Sequence, residues 1–396
     1  MVPELRAPFN ASWTEAKYRD LIGRLERHTG ATLNFPISET PCFFPRSLID
    51  SLASTGIQLI DQILNSAEAM TAADAAVPER YRGQGAEAIP TFAQVDFGLV
   101  RDDAGNIAPK LVELQAFASL YGFQLAMAEA YRDAFELPSS LQPYLDGLAP
   151  DRYYELAANA IVGDNDPAEV VLMEIEPRRQ KTWPDFVVTD QMWGVRAVDT
   201  SEVKREGRRL YYRRDGRVTQ IKRIYNRVIP DELERKRVQL PFGYGDDLEL
   251  TWAGHPAWYF RVSKFSIPWL SHTSVPDTRF LDGIEQLPVD RERYLLKPLF
   301  SFAGGGIIFA PTDAQIAAIP HEERKNYILQ ERIAFEPVIE TPEGPTQAEI
   351  RIMYLRDGAR LRPVLPLLRM GRGKMMGVDH NKGLRWVGAS AGFVVP

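Results

Sequence analysis

The chain has 396 residues, 45% of them hydrophobic and 25% charged, and a formal net charge of −6. This composition is typical of folded globular proteins, and the length indicates two or three structural units. The negative charge excludes a global attraction to nucleic acid or anionic membranes, and the sequence shows neither a signal peptide nor a run of roughly 18 apolar residues. We therefore expect a cytoplasmic protein that binds no nucleic acid and no membrane. The sequence leaves open whether the protein forms a homodimer. The lone cysteine, Cys42, is expected to be a buried apolar residue.

The first half of the chain alternates between helical and strand patterns. Apolar residues recur at helical spacing in residues 14–28, 47–66, 119–134 and 151–162. Residues 94–100 and 109–115 are two short runs of strand character, joined by the turn-forming segment RDDAGNIA. The sequence therefore predicts a helical N-terminal region that contains a pair of adjacent strands.

The middle of the chain predicts short strands and a basic hairpin. Residues 169–174 have strand character, and the segments WPDFVVTD and MWGVRAVD predict further short strands. Asp215-Gly216 lies between two runs rich in Tyr, Val and Ile, which predicts a β-hairpin. Residues 201–240 hold 13 Lys and Arg against 6 Asp and Glu. A solvated sheet face is the favoured interpretation; a basic wall beside an anionic nucleotide and a nucleic-acid patch are the alternatives.

A glycine-rich segment in the last third predicts a phosphate site. Residues 294–298 form a strand-like run that ends at Lys297 and Pro298, and three successive glycines follow at 304–306. Glycines allow backbone N–H groups to converge on a phosphate, and a lysine at the end of the preceding strand reaches it as a point charge. Three glycines alone are more typical of a flexible hairpin tip. The strand and helix that follow, with Thr312 as a helix cap, favour the phosphate interpretation.

This order of elements resembles the ATP-grasp ligases. In that family a lysine-bearing strand, a glycine-rich hairpin and a helix precede a strand that borders adenine, and NYILQERI at 326–333 has that position here. The resemblance implies that the nucleotide is bound by Lys297, Ser301, Gly304, Gly305 and Gly306 at the phosphates and by Gln330, Glu331 and Arg332 at adenine and ribose. From the local sequence, an exposed strand end is an equally good interpretation of Glu331 and Arg332.

Polar residues on the earlier pair of strands predict a magnesium site. Asp96 lies on the first strand, whereas Glu113 and Gln115 are two residues apart on the second, so both project from one face. Mg²⁺ prefers a few carboxylate or amide oxygens together with nucleotide phosphates. Solvent-facing strand residues are the common alternative, but the apolar neighbours indicate a largely buried strand, and a buried carboxylate needs a partner.

Because the metal strand precedes the lysine and the glycines, the chain resembles the permuted ATP-grasp branch, which includes eukaryotic-type glutathione synthetase and glutathionylspermidine synthetase. The motifs that carry this resemblance are Asp96-Phe97, the run LVELQA, and the segment ASLYG, in which Ser119 would contact substrate. Two residues depart from the branch. Gln115 replaces the usual Asn, and Ser301 stands where glutathione synthetase has an acidic loop residue. Both departures imply weaker or fewer metal sites.

The C-terminal segment carries the residues expected to bind substrate. Leu-Leu-Arg at 367–369 resembles the glutathione synthetase element whose arginine binds a substrate carboxylate, so Arg369 is assigned to substrate and catalysis. We expect Arg351 and Lys374 near the reacting phosphoryl group; a mobile basic loop is the favoured alternative for Lys374. Gly388, Ala389 and Ser390 resemble a small-residue loop that lines the amino-acid pocket, where backbone N–H groups could bind an anion.

The predicted fold class is α+β, an ATP-grasp fold with the nucleotide between two α+β units. Residues 1–165 would form a helical region with the metal-binding strands, 166–278 a central substrate-type subdomain, and 279–396 the nucleotide-binding and catalytic region. The predicted activity is ATP-dependent ligation of a small amino-acid or peptide-like carboxylate to an amine through an acyl phosphate, with ATP and Mg²⁺ as cofactors. A phosphotransferase and a non-catalytic nucleotide-binding protein are the alternatives. Each requires Glu113 and Lys297 to share one cleft.

Overall fold

The structure is a computed structural model that describes residues 2–83, 85–301, 305–373, 376–377, 381 and 383–395. Its α-helices are α1 (Pro3–Ser12), α2 (Glu15–Thr29), α3 (Arg46–Leu64), α4 (Ala67–Ala76), α5 (Tyr121–Phe135), α6 (Pro150–Ile161), α7 (Trp183–Trp193), α8 (Pro230–Arg235), α9 (Ala257–Arg261) and α10 (Asp313–Ala317). Within the described residues, no helix combines the length and apolar character needed to cross a membrane.

The β-strands are β1 (Cys42–Pro45), β2 (Phe92–Arg101), β3 (Ile107–Gln115), β4 (Val170–Glu174), β5 (Arg196–Asp199), β6 (Lys204–Glu206), β7 (Arg209–Arg214), β8 (Arg217–Ile221), β9 (Arg223–Asn226), β10 (Thr251–Ala253), β11 (Thr278–Phe280), β12 (Tyr294–Pro298), β13 (Ile308–Phe309), β14 (Tyr327–Glu331), β15 (Gln347–Asp357), β16 (Arg360–Gly371) and β17 (Gly388–Val395). Together with the helices they confirm the α+β class. The four helices and the strand pair predicted in the first half are confirmed to within a few residues.

The main sheet has the strand order β1-β17-β16-β15-β2-β3. It joins strands from the predicted units 1–165 and 279–396, and it is antiparallel except between β1 and β17. Successive side chains of a strand point to opposite faces. On β15, Ile350 and Ile352 pack with apolar residues of α3 in the largest core cluster, so Glu349 and Arg351 must project from the other face. That second face carries the candidate site.

A second antiparallel sheet, β11-β14-β12-β13, comes from residues 278–331. Its central strands β12 and β14 pair Lys297 with Ile328 and Leu295 with Gln330. The helix after this hairpin, α10, begins as predicted at Thr312, whose hydroxyl accepts a hydrogen bond from the Gln315 backbone N–H in a capping box. The predicted strand–hairpin–helix–strand order is therefore confirmed.

The central part of the chain forms a parallel sheet, β10-β9-β4-β5. The prediction of strands at WPDFVVTD was wrong, because α7 occupies Trp183–Trp193. Its buried positions, including Asp185, Thr189 and Trp193, recur at helical spacing, and Gly194 ends it in the left-handed conformation. The valines of this segment favour a strand, but the segment packs against α5 as a helix.

The basic hairpin is confirmed as β7 and β8, with Arg214 paired to Arg217 across Asp215-Gly216. Arginines on and beside the hairpin pair with acidic residues of the segment 246–249: Arg205 of β6 pairs with Asp246, Arg208 with Asp247, and Arg209 of β7 with Glu249. No residue of 201–240 lines the main cleft within the described chain. The hairpin is therefore a solvated, ion-paired face rather than a basic wall beside a ligand.

Candidate functional site

A cleft of about 730 Å³ lies between the main sheet and the second antiparallel sheet. Glu113 on β3 and Lys297 on β12 both line it, although they are far apart in sequence. The condition on which the sequence interpretation depends is thus met. A third wall comes from the segment after the parallel sheet, with Tyr259, Ser263 and Lys264. Such a volume is in the range of small-molecule sites.

The floor of the cleft is a network of buried charges on β2, β15 and β16. Arg351 donates from Nε and Nη2 to the two carboxylate oxygens of Asp96, each at 2.6 Å. Arg369 donates from Nη1 to Asp96 Oδ2 at 3.1 Å and also to Glu349. The sheet register produces this network, because Asp96 lies opposite Arg351 and Glu349 opposite Arg369.

The charges of the floor perturb one another strongly. Burial alone would raise the pKa of Asp96, but the charges and hydrogen bonds of Arg351 and Arg369 outweigh burial and hold that pKa below its usual range. Burial raises the pKa of Glu349 against the opposing charge of Arg369. Burial would lower the pKa of Arg369, but Glu349 and Asp96 outweigh it and raise that pKa. Asp96 is therefore ionised and the Arg369 guanidinium group is charged.

Gln94, which the sequence analysis did not identify, organises the polar groups around this network. Its Oε1 accepts from Arg351 Nη1 at 2.7 Å and from Gln115 Nε2 at 2.6 Å, and its Nε2 donates to the Ser119 carbonyl at 3.1 Å. Arginine has only donors, so Arg351 requires the oxygen of Gln94 on its side. Gln94 then requires the amide nitrogen of Gln115, which leaves the Gln115 oxygen for the cleft.

Lys297 lies in the cleft wall with 4% of its surface exposed, and its Nζ is 3.5 Å from the Val112 carbonyl oxygen. Burial lowers the pKa of Lys297 to about 8, with Lys264 adding to the decrease and Glu113 opposing it. A buried ammonium group with no carboxylate at contact distance among the described residues is suited to an anionic ligand.

Lys264 was missed by the sequence analysis. It starts a 3-10 helix, Lys264–Trp269, is 7% exposed, and donates from Nζ to the Ser301 carbonyl at 2.7 Å. A single lysine in the run RVSKFSIPW has no sequence signal that would single it out. Only the fold brings this second ammonium group to the cleft.

Ser301 lines the cleft, as predicted for the segment before the glycines. Of the three glycines, Gly305 and Gly306 are described and Gly304 lies outside the described residues. Gly306 has φ +73, and a Cβ there would be 2.8 Å from Pro298 Cγ. Gly306 is therefore required by the hairpin itself, and its role in phosphate binding stays a prediction.

Part of the cleft lining is apolar. The apolar lining residues include Leu295, Leu299, Ile307, Phe309, Ile333, Ala334 and Phe335, and Leu295 pairs with both Phe309 and Gln330. Phe335 lies directly on Gly98 of β2, where a Cβ would be 2.7 Å from the ring. Gln330 lines this region at 1% exposure, and its Nε2 has no hydrogen-bond partner among the described residues. An apolar lining beside a buried amide without a partner has the character of a site for a heteroaromatic base.

Glu331 and Arg332 also line the cleft, at its edge. Glu331 accepts from Arg293 Nη2 at 2.6 Å, whereas Arg332 is exposed. Ser119 lines the opposite side beside Leu120. These three positions therefore agree with a site location, although their roles stay predictions.

The sequence analysis predicted a loop at residues 388–390, and this prediction was wrong. They form the start of β17 rather than a loop, and they do not belong to the described lining of the cleft. The Ala389 N–H donates to the Pro36 carbonyl at 2.9 Å, and the buried Ser390 hydroxyl donates to the Thr40 carbonyl at 2.7 Å. Gly388 pairs with Met370. The backbone and hydroxyl groups that the resemblance had assigned to substrate therefore form hydrogen bonds within the protein instead. Lys374 lies outside the described residues.

The fit of a magnesium ion depends on which cleft oxygens are unengaged. Asp96 is held by three N–H groups of two arginines, so the prediction of Asp96 as a metal ligand does not fit. A metal ion at Asp96 would be repelled by these arginines. Two like unit charges 4 Å apart repel by about 4 kcal/mol at an effective dielectric constant of 20, and the value doubles when one of the charges is a divalent ion. Glu113 is part-exposed, and its nearest arginine nitrogen, Arg351 Nη2, is 3.9 Å away. Glu113 and the Gln115 oxygen therefore fit one ion.

No group of three or more His, Cys, Asp and Glu side chains that could bind a metal ion exists among the described residues. A site of one carboxylate and one amide is incomplete for Mg²⁺ unless phosphate oxygens and water supply the remaining ligands. The donor set thus fits a cation that arrives with a nucleotide.

The fold has a counterpart among solved structures. A glutathione synthetase-like effector from Globodera pallida, solved in its apo form, matches with a TM-score of 0.58 at 14% sequence identity, over 96% of this chain and 98% of that chain. A scan of protein-family models and a search of the curated proteins find no match. The chain therefore has an α+β fold of the glutathione synthetase-like type, and at this identity the likeness concerns the fold alone.

Proposed function

We propose that this protein binds Mg·ATP in the cleft and uses it to convert a small carboxylate into an acyl phosphate, which an amine then attacks. The observation that carries the proposal is the presence of two buried ammonium groups, Lys264 and Lys297, in the same cleft as Glu113 and Arg369. The glutathione synthetase-like fold supports it.

The apolar and the charged parts of the cleft lining suit the two parts of a nucleotide. The base would lie against the apolar residues, with Gln330 as its buried polar contact, and the phosphates would extend toward Lys297 and Lys264. Glu113 and Gln115 would hold Mg²⁺, which neutralises charge on the phosphate oxygens. This orientation directs the terminal phosphate toward the arginines of the floor.

The chain's own groups would act by positioning and by charge. The substrate carboxylate oxygen attacks the γ-phosphorus, the bond to the β-phosphate oxygen breaks, and ADP leaves. The amine nitrogen then attacks the acyl carbon, phosphate leaves, and the amine loses a proton to water. Lys297, Lys264 and Arg369 would stabilise the negative charge that develops on the transferred phosphoryl group. No side-chain nucleophile is required for this chemistry.

ADP release over paired carboxylates and amines tests the proposal, with hydroxylamine as a trap for acyl phosphate and Lys297→Ala as the blank. We expect ADP and a hydroxamate that depend on the carboxylate. ADP with a phosphorylated product and no hydroxamate would instead identify a phosphotransferase. Neither product over a broad panel, with ATP bound, would contradict the ligase.

One observation favours a second candidate, a nucleotide-binding protein without turnover. Arg369, the residue assigned to the substrate carboxylate, is already paired with Asp96 and Glu349. Both of these hydrogen bonds use Nη1 alone, so the rest of the guanidinium group stays available to a ligand. A rise in Tm with Mg·ATP but no ADP release would select this candidate.

A further inference from the structure

Among the described residues, four carboxylates line the cleft, and arginines engage three of them. Asp96 is paired with Arg351 and Arg369, Glu349 with Arg369, and Glu331 with Arg293. For Glu113 the nearest arginine nitrogen is at 3.9 Å, beyond hydrogen-bond distance. Glu113 is therefore the carboxylate in the described part of the cleft that can turn both oxygens toward a cation.

Asp96 is unsuited to a second cation site, because two arginines already occupy most of its capacity to accept hydrogen bonds. Its oxygens receive N–H groups at 2.6, 2.6 and 3.1 Å, and its side chain is 2% exposed. These N–H groups occupy three of about four lone-pair sites of the carboxylate, so an ion bound at about 2.1 Å would lie beside both arginines. Both arginines are permanently charged and would repel the ion.

The same carboxylate acts at a distance through a chain of hydrogen bonds. Asp96 fixes the plane of Arg351 through Nε and Nη2, which directs Nη1 to the Gln94 oxygen at 2.7 Å. The Gln94 oxygen then binds the amide nitrogen of Gln115 at 2.6 Å. An amide whose nitrogen is held in this way turns its oxygen in the opposite direction, toward the cleft.

We propose that Asp96 is a positioning residue which, through Arg351 and Gln94, aims the Gln115 oxygen into the cleft, and that the cleft therefore takes one divalent cation at Glu113 and Gln115 instead of two. This rests on the proposed nucleotide binding. It assigns Gln94 a specific task, the orientation of a metal-binding amide. It also assigns Arg369, whose hydrogen bonds to Asp96 and Glu349 use Nη1 alone, to the neutralisation of phosphate charge, where a second ion would otherwise be needed.

Counting bound Mn²⁺ tests the number of ions. The protein is first saturated with ATP, and Mn²⁺ is then titrated while electron paramagnetic resonance reports the free ion; equilibrium dialysis measures bound ATP in the same samples. We expect one tight Mn²⁺ per bound nucleotide. Two tight ions per nucleotide overturn the inference and leave the proposed function standing. A protein that binds no ATP overturns the proposed function, and the inference with it.

Gln94 provides the test of positioning. We expect Gln94→Leu to weaken Mn²⁺ binding in the ATP complex about tenfold, in the range found for residues that orient metal ligands. The double variant Gln94→Leu with Gln115→Glu should recover the affinity, because a carboxylate presents an oxygen in either orientation. A loss without recovery, or no loss, contradicts the orientation mechanism. Thermal unfolding controls for folding of each variant, and the ion count of the unmodified protein stands independently of them.

Discussion

The Lys264 ammonium group donates a hydrogen bond of 2.7 Å to the carbonyl oxygen of Ser301. This bond joins the segment after the parallel sheet to the residue that precedes the glycines. Lys264 also contributes to the lowered pKa of Lys297, after burial, so the two ammonium groups are electrostatic neighbours. Among the described residues, the cleft therefore has two buried ammonium groups, contributed by different parts of the chain.

Replacement of Lys264 by Met should weaken ATP binding about tenfold, which corresponds to about 1.4 kcal/mol. The physical reason is the loss of one charged donor to phosphate, since Met preserves the length of the stem. Isothermal titration calorimetry measures the affinity. Lys236→Met is the matched control, because Lys236 pairs with Glu176 and does not line the cleft. An affinity loss of equal size in both variants would contradict the assignment.

Nucleotide binding should be accompanied by proton uptake above pH 8. Burial lowers the pKa of Lys297 to about 8, so above this pH the free protein has largely lost that proton. Phosphate favours the ammonium form, so ATP binding must restore the proton, and affinity should fall as the pH rises from 7 to 9. Calorimetry at pH 8.5 in buffers of different ionisation enthalpy measures the uptake. Lys297→Met should abolish it; persistent uptake in that variant would assign the proton to another group.

Gln330→Leu should affect stability and binding in opposite directions. The Nε2 of Gln330 is buried without a partner among the described residues, so an apolar side chain of similar size should leave Tm unchanged or raise it. Affinity for ATP should fall about tenfold if this amide contacts adenine. Thermal unfolding and calorimetry provide both values, and the exposed Gln286→Leu is the control. Unchanged ATP affinity would remove Gln330 from the base site.

Gly98→Ala should destabilise the protein by about 1–3 kcal/mol, the usual range for overpacking. A Cβ at this position would be 2.7 Å from the Phe335 ring, so the ring must shift out of the apolar wall of the cleft. Urea unfolding measures the free energy. Gly283→Ala is the control, because a Cβ there meets no atom within 4 Å. Equal free energies of unfolding for the two variants would show that the Phe335 ring can shift without a loss of stability.

Glu174→Gln should stabilise the protein at alkaline pH and have little effect at pH 5. Burial raises the pKa of Glu174 to about 8, with the charge of Arg227 opposing the increase. Between about pH 4.5 and 8 the folded protein retains a proton that the unfolded chain has lost, so stability falls as the pH rises through this window. Glutamine has no carboxyl group to ionise, so the variant should not show this decrease in stability.

Urea unfolding at pH 5 and 8.5 measures the difference between the Glu174 variant and the unmodified protein. Glu202 is exposed, so Glu202→Gln provides a matched loss of one carboxyl group without burial. A stability difference that does not change with pH at Glu174 would mean that the carboxyl group is solvated.

The interpretation of the helices and of the lysine–glycine segment succeeded because local patterns determine these features. Apolar spacing located α3 and α5, and the cap residue Thr312 located the start of α10. The errors have a common cause. Trp183–Trp193 contains a valine run typical of strands, and Gly388–Ser390 contains small residues typical of loops. In both segments burial against distant parts of the chain outweighed local preference.

The candidate site also combines features that the local sequence predicts with features that only distant contacts produce. Residue type and spacing brought Asp96, Glu113 and Lys297 to attention, and the structure places all three in one cleft. Whether Asp96 faces a metal ion or an arginine could not be decided from spacing, because Arg351 is its neighbour only through the pairing of β2 with β15. Lys264 and Gln94 lack any local signal, since their partners are remote in sequence.

The sequence by itself therefore determined the α+β class, the order of the elements in the first half and in the lysine–glycine segment, and the alternation that puts polar side chains on one face of each strand. Only the tertiary structure decided which charges meet, because β15 enters the main sheet beside β2 across some 250 residues of chain. Alternation is a property of a single strand, whereas an ion pair requires a register between two strands, and long-range packing sets that register.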